Sequence, residues 1–227
     1  MLLTLFSQFD NIVVLDTETT GIDCRREEII ELAAIRISRE NTDAICEEMD
    51  DFLYLSEGKH LPEEIVALTG ITEEMIRQEG VPKQVAAERF CAMIAHPKTL
   101  LVAYNAQFDM CFLYYFLARF GRADVLRDIR MLDAMTVYRD RRDYPHKLKD
   151  AIAAYGVDAQ NSHRAVDDTK AALAVLDAME RERGDLASYI NLFGYNRKYG
   201  VSGQRIRSVR YIAQGYDRSV PLYMKAE

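Results

Sequence analysis

The sequence predicts an α/β layer fold, a mixed central sheet with helices packed on it, followed by a C-terminal extension. Short apolar runs rich in β-branched residues mark strands buried on both faces. Strand-like runs come first and then alternate with helix-like ones, the order expected of a sheet with both antiparallel and crossover connections. With 227 residues, 49% of them hydrophobic, the chain can bury a full core as one domain plus a modest extension.

NIVVLDT, residues 11–17, is the first such strand, and EEIIELAAIRIS and the stretch from Ile45 to Leu55 supply two more. LPEEIVALTG has proline at a helix start and glycine at its end, and Thr72 can cap a short helix in ITEEMI. VPKQVAAERFCAMIAH places Val85, Ala86, Arg89, Phe90, Met93 and Ile94 at helical spacing, with Pro97 just beyond. TLLVAYN reads as another buried strand, FDMCFLYYFLARFG as a strongly apolar helix and RDIRML as a further strand. Three helices are then predicted, in DAMTVYRDR, KLKDAIAAYG and RAVDDTKAALAVLDAMERERG.

No apolar run approaches the roughly 20 residues needed to span a bilayer, and MLLTLFSQFD lacks the basic start and cleavage site of a leader. Neither a membrane nor an export route is therefore expected. Cys24, Cys46, Cys91 and Cys111 form no CxxC pair or framework, which predicts reduced thiols in a cytoplasmic protein. The net charge of −7 is unevenly spread. From Asn191 onward seven basic residues face Asp217 and Glu227, a net of +5 that leaves −12 for residues 1–190. The expected division is thus a 1–190 body and a basic, aromatic-rich 191–227 extension.

Asp16 and Glu18 are two apart, so on a strand their side chains leave one face while Thr17 leaves the other. They stand at the carboxyl end of a buried strand, the usual ligand crevice of open α/β sheets, and Gly21 lets the backbone turn there. Asp109 shares a helix face with Phe112, Leu113, Phe116 and Phe120, so it looks inward. Asp168 falls on the inward stripe of the last long helix with Ala165, Ala171, Ala172, Val175, Leu176 and Met179, whereas Asp167 is rotated about 100° away. His163 lies on the loop just before. Read singly, each has an ordinary explanation as a strand-end, first-turn or surface residue; His60, His96 and His146 are given the surface reading. Together, carboxylates in apolar surroundings need a compensating partner, and divalent metal acting on phosphodiesters suits them. Glycosidase chemistry fits poorly, because it explains neither His163 nor the third and fourth acids.

DTETTG, NAQFD and HRAVDD stand in the order and spacing of three family motifs, and from about Ile12 to Met179 the chain resembles the DEDD-type 3′-to-5′ exonucleases, in the histidine-containing branch. The proofreading exonuclease subunits and domains of bacterial DNA polymerases are the similar members. LTGIT and KLKDAIAAYGV also look like family segments, while Tyr104 stands where a histidine often precedes the second motif. The resemblance implies a ribonuclease-H-like fold with about five strands in the sheet, and two Mg²⁺ or Mn²⁺ ions as cofactors. It implies that Asp16 is shared by both ions, that Glu18 and Asp168 complete one and Asp109 helps hold the other, and that His163 is the general base. Glu18 is also expected near the terminal 3′ hydroxyl, and Thr19, Gly70, Ile71, Asn105 and Phe108 near the terminal nucleotide, with packing an equal alternative for Ile71 and Phe108.

The expected activity is hydrolysis at 3′ ends of DNA, single-stranded or frayed, with release of nucleoside 5′-monophosphates. An exoribonuclease acting on RNA ends is the alternative within enzymes, since these motifs do not read the 2′ hydroxyl. A non-catalytic nucleic-acid-binding or polymerase-associated module is the alternative outside them. Nucleic acid, DNA before RNA, is the expected partner, with a DNA polymerase as a second. Arginines interleaved with Phe193, Tyr195, Tyr199, Tyr211, Tyr216 and Tyr223 suit a single strand. VRYIAQ and VPLYMK read equally as strands that cover the domain or an oligomer interface. Arg139, Arg141, Arg142, Lys147 and Lys149 either flank a substrate strand or form a solvated helix end.

Overall fold

The computed structural model describes residues 1–201 and 203–226. A short helix, α1 (Leu3–Phe6), precedes β1 (Asn11–Thr19), β2 (Ile29–Ser38) and β3 (Glu47–Phe52). Then come α2 (Glu63–Thr69), α3 (Glu73–Glu79), α4 (Lys83–Ile94), β4 (Thr99–Ala103), α5 (Ala106–Ala118), β5 (Arg130–Asp133), α6 (Ala134–Arg141), α7 (Leu148–Tyr155) and α8 (Ala165–Arg183). The chain finishes with β6 (Leu192–Tyr195) and β7 (Arg210–Ala213).

The five-stranded sheet runs β3-β2-β1-β4-β5. β1 lies antiparallel to β2 and parallel to β4, so it is central, and both its faces are covered. Ile12 and Val14 enter one core with Val137, Ala151, Val175 and Met179, from α6, α7 and α8. Val13 and Leu15 enter the other with Phe90, Met93, Phe112 and Phe116, from α4 and α5. This two-sided burial is why NIVVL reads as a continuous apolar run rather than an alternating one.

The ends of the helices are set locally. Thr72 accepts the Met75 N–H at the start of α3, and α2 stops at Gly70, whose φ of 71° is in the left-handed region. At the end of β5 the buried Asp133 carboxylate accepts N–H bonds from Asn105 and Ala106 and from Met135, so a single acid anchors the first turns of both α5 and α6.

Residues beyond Asn191 pack on the body. β6 and β7 form a parallel pair, and Gly194 N–H and the Gln214 amide bond to the Oγ1 and carbonyl of Thr136 on α6. A Cβ at Gly194 would lie 2.2 Å from Gln214 Oε1, so the approach requires glycine. VRYIAQ supplies β7, but VPLYMK is no strand: a 3-10 turn over Leu222–Ala226 forms there. Its Leu222 N–H donates to the buried carboxylate of Asp140, an acceptor a neighbouring strand would otherwise have to replace.

Two further expectations need correction. On α4, Val85 and Arg89 face solvent while Ala87 joins Ala86, Phe90, Met93 and Ile94 inside. Arg89 is drawn to the sheet edge by its ion pair with Asp51, which keeps the guanidinium hydrated. The cysteines are not all reduced: Cys24 and Cys111 form a disulfide with Cα atoms 5.9 Å apart, because the loop after β1 lies against α5. Cys46 and Cys91 are free. Among the described residues no helix is long and apolar enough to cross a membrane.

Candidate active site

The site grows from the carboxyl end of β1. Asp16 and Glu18 have the same parity as Ile12 and Val14 and so leave the α8 side of the sheet, while Thr17 leaves the α5 side. There the Thr17 hydroxyl donates to Asp109 Oδ1 at 2.8 Å. The residue between the two strand acids therefore ties the α5 acid to the same strand end, and Asp109 is almost fully buried.

The third motif is held from two directions. Asp168 is buried on the inward face of α8, and its carboxylate accepts from Asn161 Nδ2 at 2.5 Å and from Ser162 N–H at 3.2 Å. Asp167 takes the Ser162 hydroxyl, at 2.6 Å. Between these contacts His163 sits exposed with a φ of 55°. Glu31, opposite Glu18 in the β1–β2 register, is fully buried and receives Arg164 Nε at 2.9 Å and Ala165 N–H at 2.8 Å. That bond pins the start of α8, and with it the backbone next to His163. One donor atom each from Glu18, His163 and Asp168 lies within 4.8 Å of the others.

Like charges at this density resist ionisation. Asp16 is held well above the usual carboxylate range by burial and then by Asp109, Glu18, Asp168 and Glu31. Burial, then Asp168 and Glu31, pushes Glu18 up to about 8. Burial lifts Asp109 to about 7 although the Thr17 hydroxyl opposes it, and burial raises Asp168 against its Asn161 bond and the nearby imidazole of His163. All five groups line one open cleft of about 670 Å³, together with Asn105, Phe108, Leu68, Tyr104, Arg139 and Lys147. A pocket floored by clustered acids and walled partly by cations suits a phosphate ester approached through metal.

The exonuclease family model matches residues 13–176, well over half of the chain. The chain belongs to the exonuclease family. Within that family its motifs resemble those of the DEDD-type 3′-to-5′ class. Curated relatives include a PolC-type DNA polymerase III of Lacticaseibacillus paracasei, 30% identical over 195 residues that make up 83% of this chain. Another, from Halalkalibacterium halodurans, is 32% identical over 180 residues and 75% of the chain. In each case the chain spans 12% of the relative's length. Among solved structures, zinc-bound E. coli ExoI with single-stranded DNA matches with a TM-score of 0.70 at 22% identity, over 80% of this chain and 43% of that one. ExoI bound to a dA16 oligonucleotide matches equally, over 79% and 42%. These place the fold as ribonuclease-H-like, with the mixed sheet of five strands expected. Exonucleases of this family depend on divalent metal, and the hard carboxylate oxygens with one imidazole are donors that fit it.

The weaker candidates divide. Asn105 and Phe108 line the exonuclease cleft, whereas Thr19, Gly70 and Ile71 do not. The Thr19 hydroxyl is spent on the Gly21 carbonyl, and Ile71 packs in a separate core with Ile30 and Ile76. Leu68, one helical turn earlier in the same segment, reaches the cleft instead. His146 is not a surface bystander; it lines the cleft, half-buried, with its ring against Tyr138 and Tyr144. The basic run is no solvated helix end either. Arg141 is buried, bonded to Met179 O, Glu182 and Asp185, while Arg139, Lys147 and Lys149 line the cleft. Thr17, Glu31, Asn161 and Ser162 went unrecognised in the sequence. The one available signal was Glu31, an acid inside an apolar strand run.

Proposed function

We propose that the protein shortens DNA from its 3′ end, single-stranded or frayed, releasing nucleoside 5′-monophosphates by attack of water on the terminal phosphodiester. One observation supports this above the others: Asp16, Glu18, Asp109 and Asp168 converge with His163 in one cleft although they come from three separate parts of the chain. In this reading the four acids, Asp16 among them, would hold two Mg²⁺ or Mn²⁺ ions. Such ions, when bound, stabilise charge on the attacking and leaving oxygens and cancel the negative floor that would repel phosphate.

The chain's own residues do the rest. His163 takes the proton of the attacking water, and Asp168 beside it favours the imidazolium that results. Asn161 and Ser162 hold Asp168, Thr17 holds Asp109, and the Glu31–Arg164 pair fixes the loop from which His163 projects. Asn105 and Phe108 border the space beside Asp109 where the terminal nucleotide rests. Residues 1–190 carry this chemistry and 191–227 form an addition to it. Because the curated relatives are DNA polymerases, a DNA polymerase is the partner to test first. The cytoplasm is the proposed compartment.

The test gives the protein 5′-labelled single-stranded DNA and RNA of one sequence, with Mg²⁺ or with chelator, beside Asp16→Ala and His163→Ala. Stepwise shortening of the DNA, lost with chelator and in both variants, is the expected result. Faster shortening of the RNA replaces the substrate assignment with an exoribonuclease. Degradation that persists in chelator defeats the mechanism.

A further inference from the structure

The mouth of the cleft has a composition its chemistry does not require. Tyr144, Tyr199 and Tyr216 all line it, and their residues are 74%, 76% and 70% exposed. Exposing that much ring surface is unfavourable unless something covers it. Tyr54, the remaining large exposed aromatic among the described residues, lies elsewhere and is only 42% exposed. Arg139, Lys147 and Lys149 stand at the same rim, and none of them forms an ion pair among the described residues. Three open rings beside three unneutralised cations match a flexible polyanion that carries flat apolar groups.

Two of the three rings come from residues 191–227, beyond the 13–176 match to the family. Their position is built in. Gln214 bonds Thr136 through its amide and receives Arg139 through its carbonyl, and Arg218 Nε donates to the Arg139 carbonyl at 3.2 Å. These bonds clasp α6 on both sides of Tyr216. Asn196, at the start of the Tyr199 turn, accepts N–H bonds from Tyr199 and Gly200 through its carbonyl and also lines the cleft. Tyr144 rests edge-on against His146, with ring centroids 5.8 Å apart, and its neighbour Asp143 pairs with Arg218 of the extension.

We propose that this rim is a stacking subsite for unpaired nucleotides that precede the one being removed, formed jointly by Tyr144 of the body and Tyr199 and Tyr216 of the extension. It rests on the exonuclease reading and deepens it: the preferred substrate has several unpaired 3′ nucleotides, whose bases lie on the tyrosines and whose phosphates meet Arg139, Lys147 and Lys149. The extension thus belongs to the substrate site as well as to the covering of α6.

The test measures binding of 5′-fluorescein dT12 by anisotropy, with Mg²⁺ present, in an Asp16→Asn background that prevents shortening. Tyr199→Ala and Tyr216→Ala should each weaken binding about tenfold, the scale of one lost base stack. Tyr199→Phe and Tyr216→Phe, which keep the ring, should stay within about twofold, and Tyr54→Ala should leave binding unchanged. Replacing dT12 with an abasic 12-mer should abolish the difference between the Tyr and Ala forms. Unaltered dT12 affinity in both Ala variants, or an equal loss on the abasic strand, overturns the subsite. Neither result depends on nuclease activity, so a failure of the exonuclease reading would show separately, as an absence of shortening by the unsubstituted protein.

Discussion

Two clusters of charge lie at opposite ends of α8, one near Asp168 in its first turn and one near Glu182 in its last, and they are built on opposite plans. Around Arg141 the signs match: its buried guanidinium meets Glu182, Asp185 and the Met179 carbonyl, and stays fully charged. On the cleft floor the signs repeat: Asp16, Glu18, Asp109 and Asp168 gather with one imidazole, and all four acids are pushed toward keeping their protons. The first cluster balances its charge within the fold and holds α6 to the end of α8. The second repeats one sign, and the metal ions proposed for it would supply the missing charge.

Removing one member of each cluster should separate them most sharply. Arg141→Met leaves Asp185 without its guanidinium partner and Glu182 with Arg142 as its remaining cation, a loss of about 3–5 kcal/mol, which at about 2–4 °C per kcal/mol lowers Tm by roughly 10 °C. His163→Ala should leave Tm nearly unchanged while turnover falls about 10²- to 10⁴-fold, the range for a lost general base. Asp16→Asn should abolish turnover and raise the Tm of metal-free protein at pH 8, since it relieves repulsion. Differential scanning fluorimetry beside a shortening assay reads all three. A metal-free Asp16→Asn protein as unstable as Arg141→Met would erase the distinction between the clusters.

The next largest effect is the pH dependence of the floor. Each of its acids has a folded-state pKa above its ordinary value, Glu18 at about 8 and Asp109 at about 7. A carboxyl group raised in this way binds its proton more tightly when folded. Its contribution to stability is full below the unfolded value near about 4, and it is lost as pH rises through the folded value. Metal-free protein should therefore lose Tm steadily from pH 5 to pH 8. Mg²⁺ or Mn²⁺ binds the ionised acids, so its stabilisation should be larger at pH 8 than at pH 6 and reach about 2.7 kcal/mol at 100 times the dissociation constant. A flat metal-free profile, or a metal effect equal at both pH values, would count against the floor as a cation site.

The same contrast explains what the sequence disclosed. Asp16 with Glu18, and Asp168 as opposed to Asp167, were legible because alternation and helical phase decide which way a side chain faces, and both are local. The sheet followed from apolar runs whose burial needs no partner to be recognised. Arg141 looked like one more cation in a basic run because its carboxylates arrive some 40 residues later, from the end of α8 and beyond. Glu31 depends on the register that sets it opposite Glu18, and no residue near it in sequence announces that. Cys24 and Cys111 are 87 residues apart without a spacing signature. At the end of α2 a small rotation decided between neighbours: Leu68 faces the cleft while Ile71 turns into its own core. Local phase was readable, then, and pairing across the fold was not.

A smaller change probes the border between the plans. Glu31→Gln keeps the volume but removes the charge that faces Arg164 and the acceptor that holds Ala165 N–H most strongly. Hydrogen bonds to charged groups are worth about 1.5–3 kcal/mol, so Tm should fall by several degrees. Turnover should also fall, because the loop of His163 loses its tether, while binding of dT12 stays within about twofold. Lost stability with unchanged turnover would make Glu31 purely structural.

The smallest predicted effect belongs to Thr17, the one polar side chain of β1 that turns away from Asp16 and Glu18 yet serves their site. Thr17→Val preserves the β-branched shape, so the strand and its packing against α5 should hold and Tm should shift by little. What disappears is the donor at 2.8 Å from Asp109 Oδ1. A single hydrogen bond is worth about 1 kcal/mol, which amounts to roughly a fivefold change. It should be read as a fivefold fall in turnover and a similar rise in the Mg²⁺ concentration giving half the maximal Tm shift, because Asp109 is no longer aimed. Thr17→Ser restores the hydroxyl and should recover both. If Thr17→Val matched the unsubstituted protein in turnover and in metal titration, Asp109 would be placed by α5 alone, and the strand would contribute to the site only through its two acids.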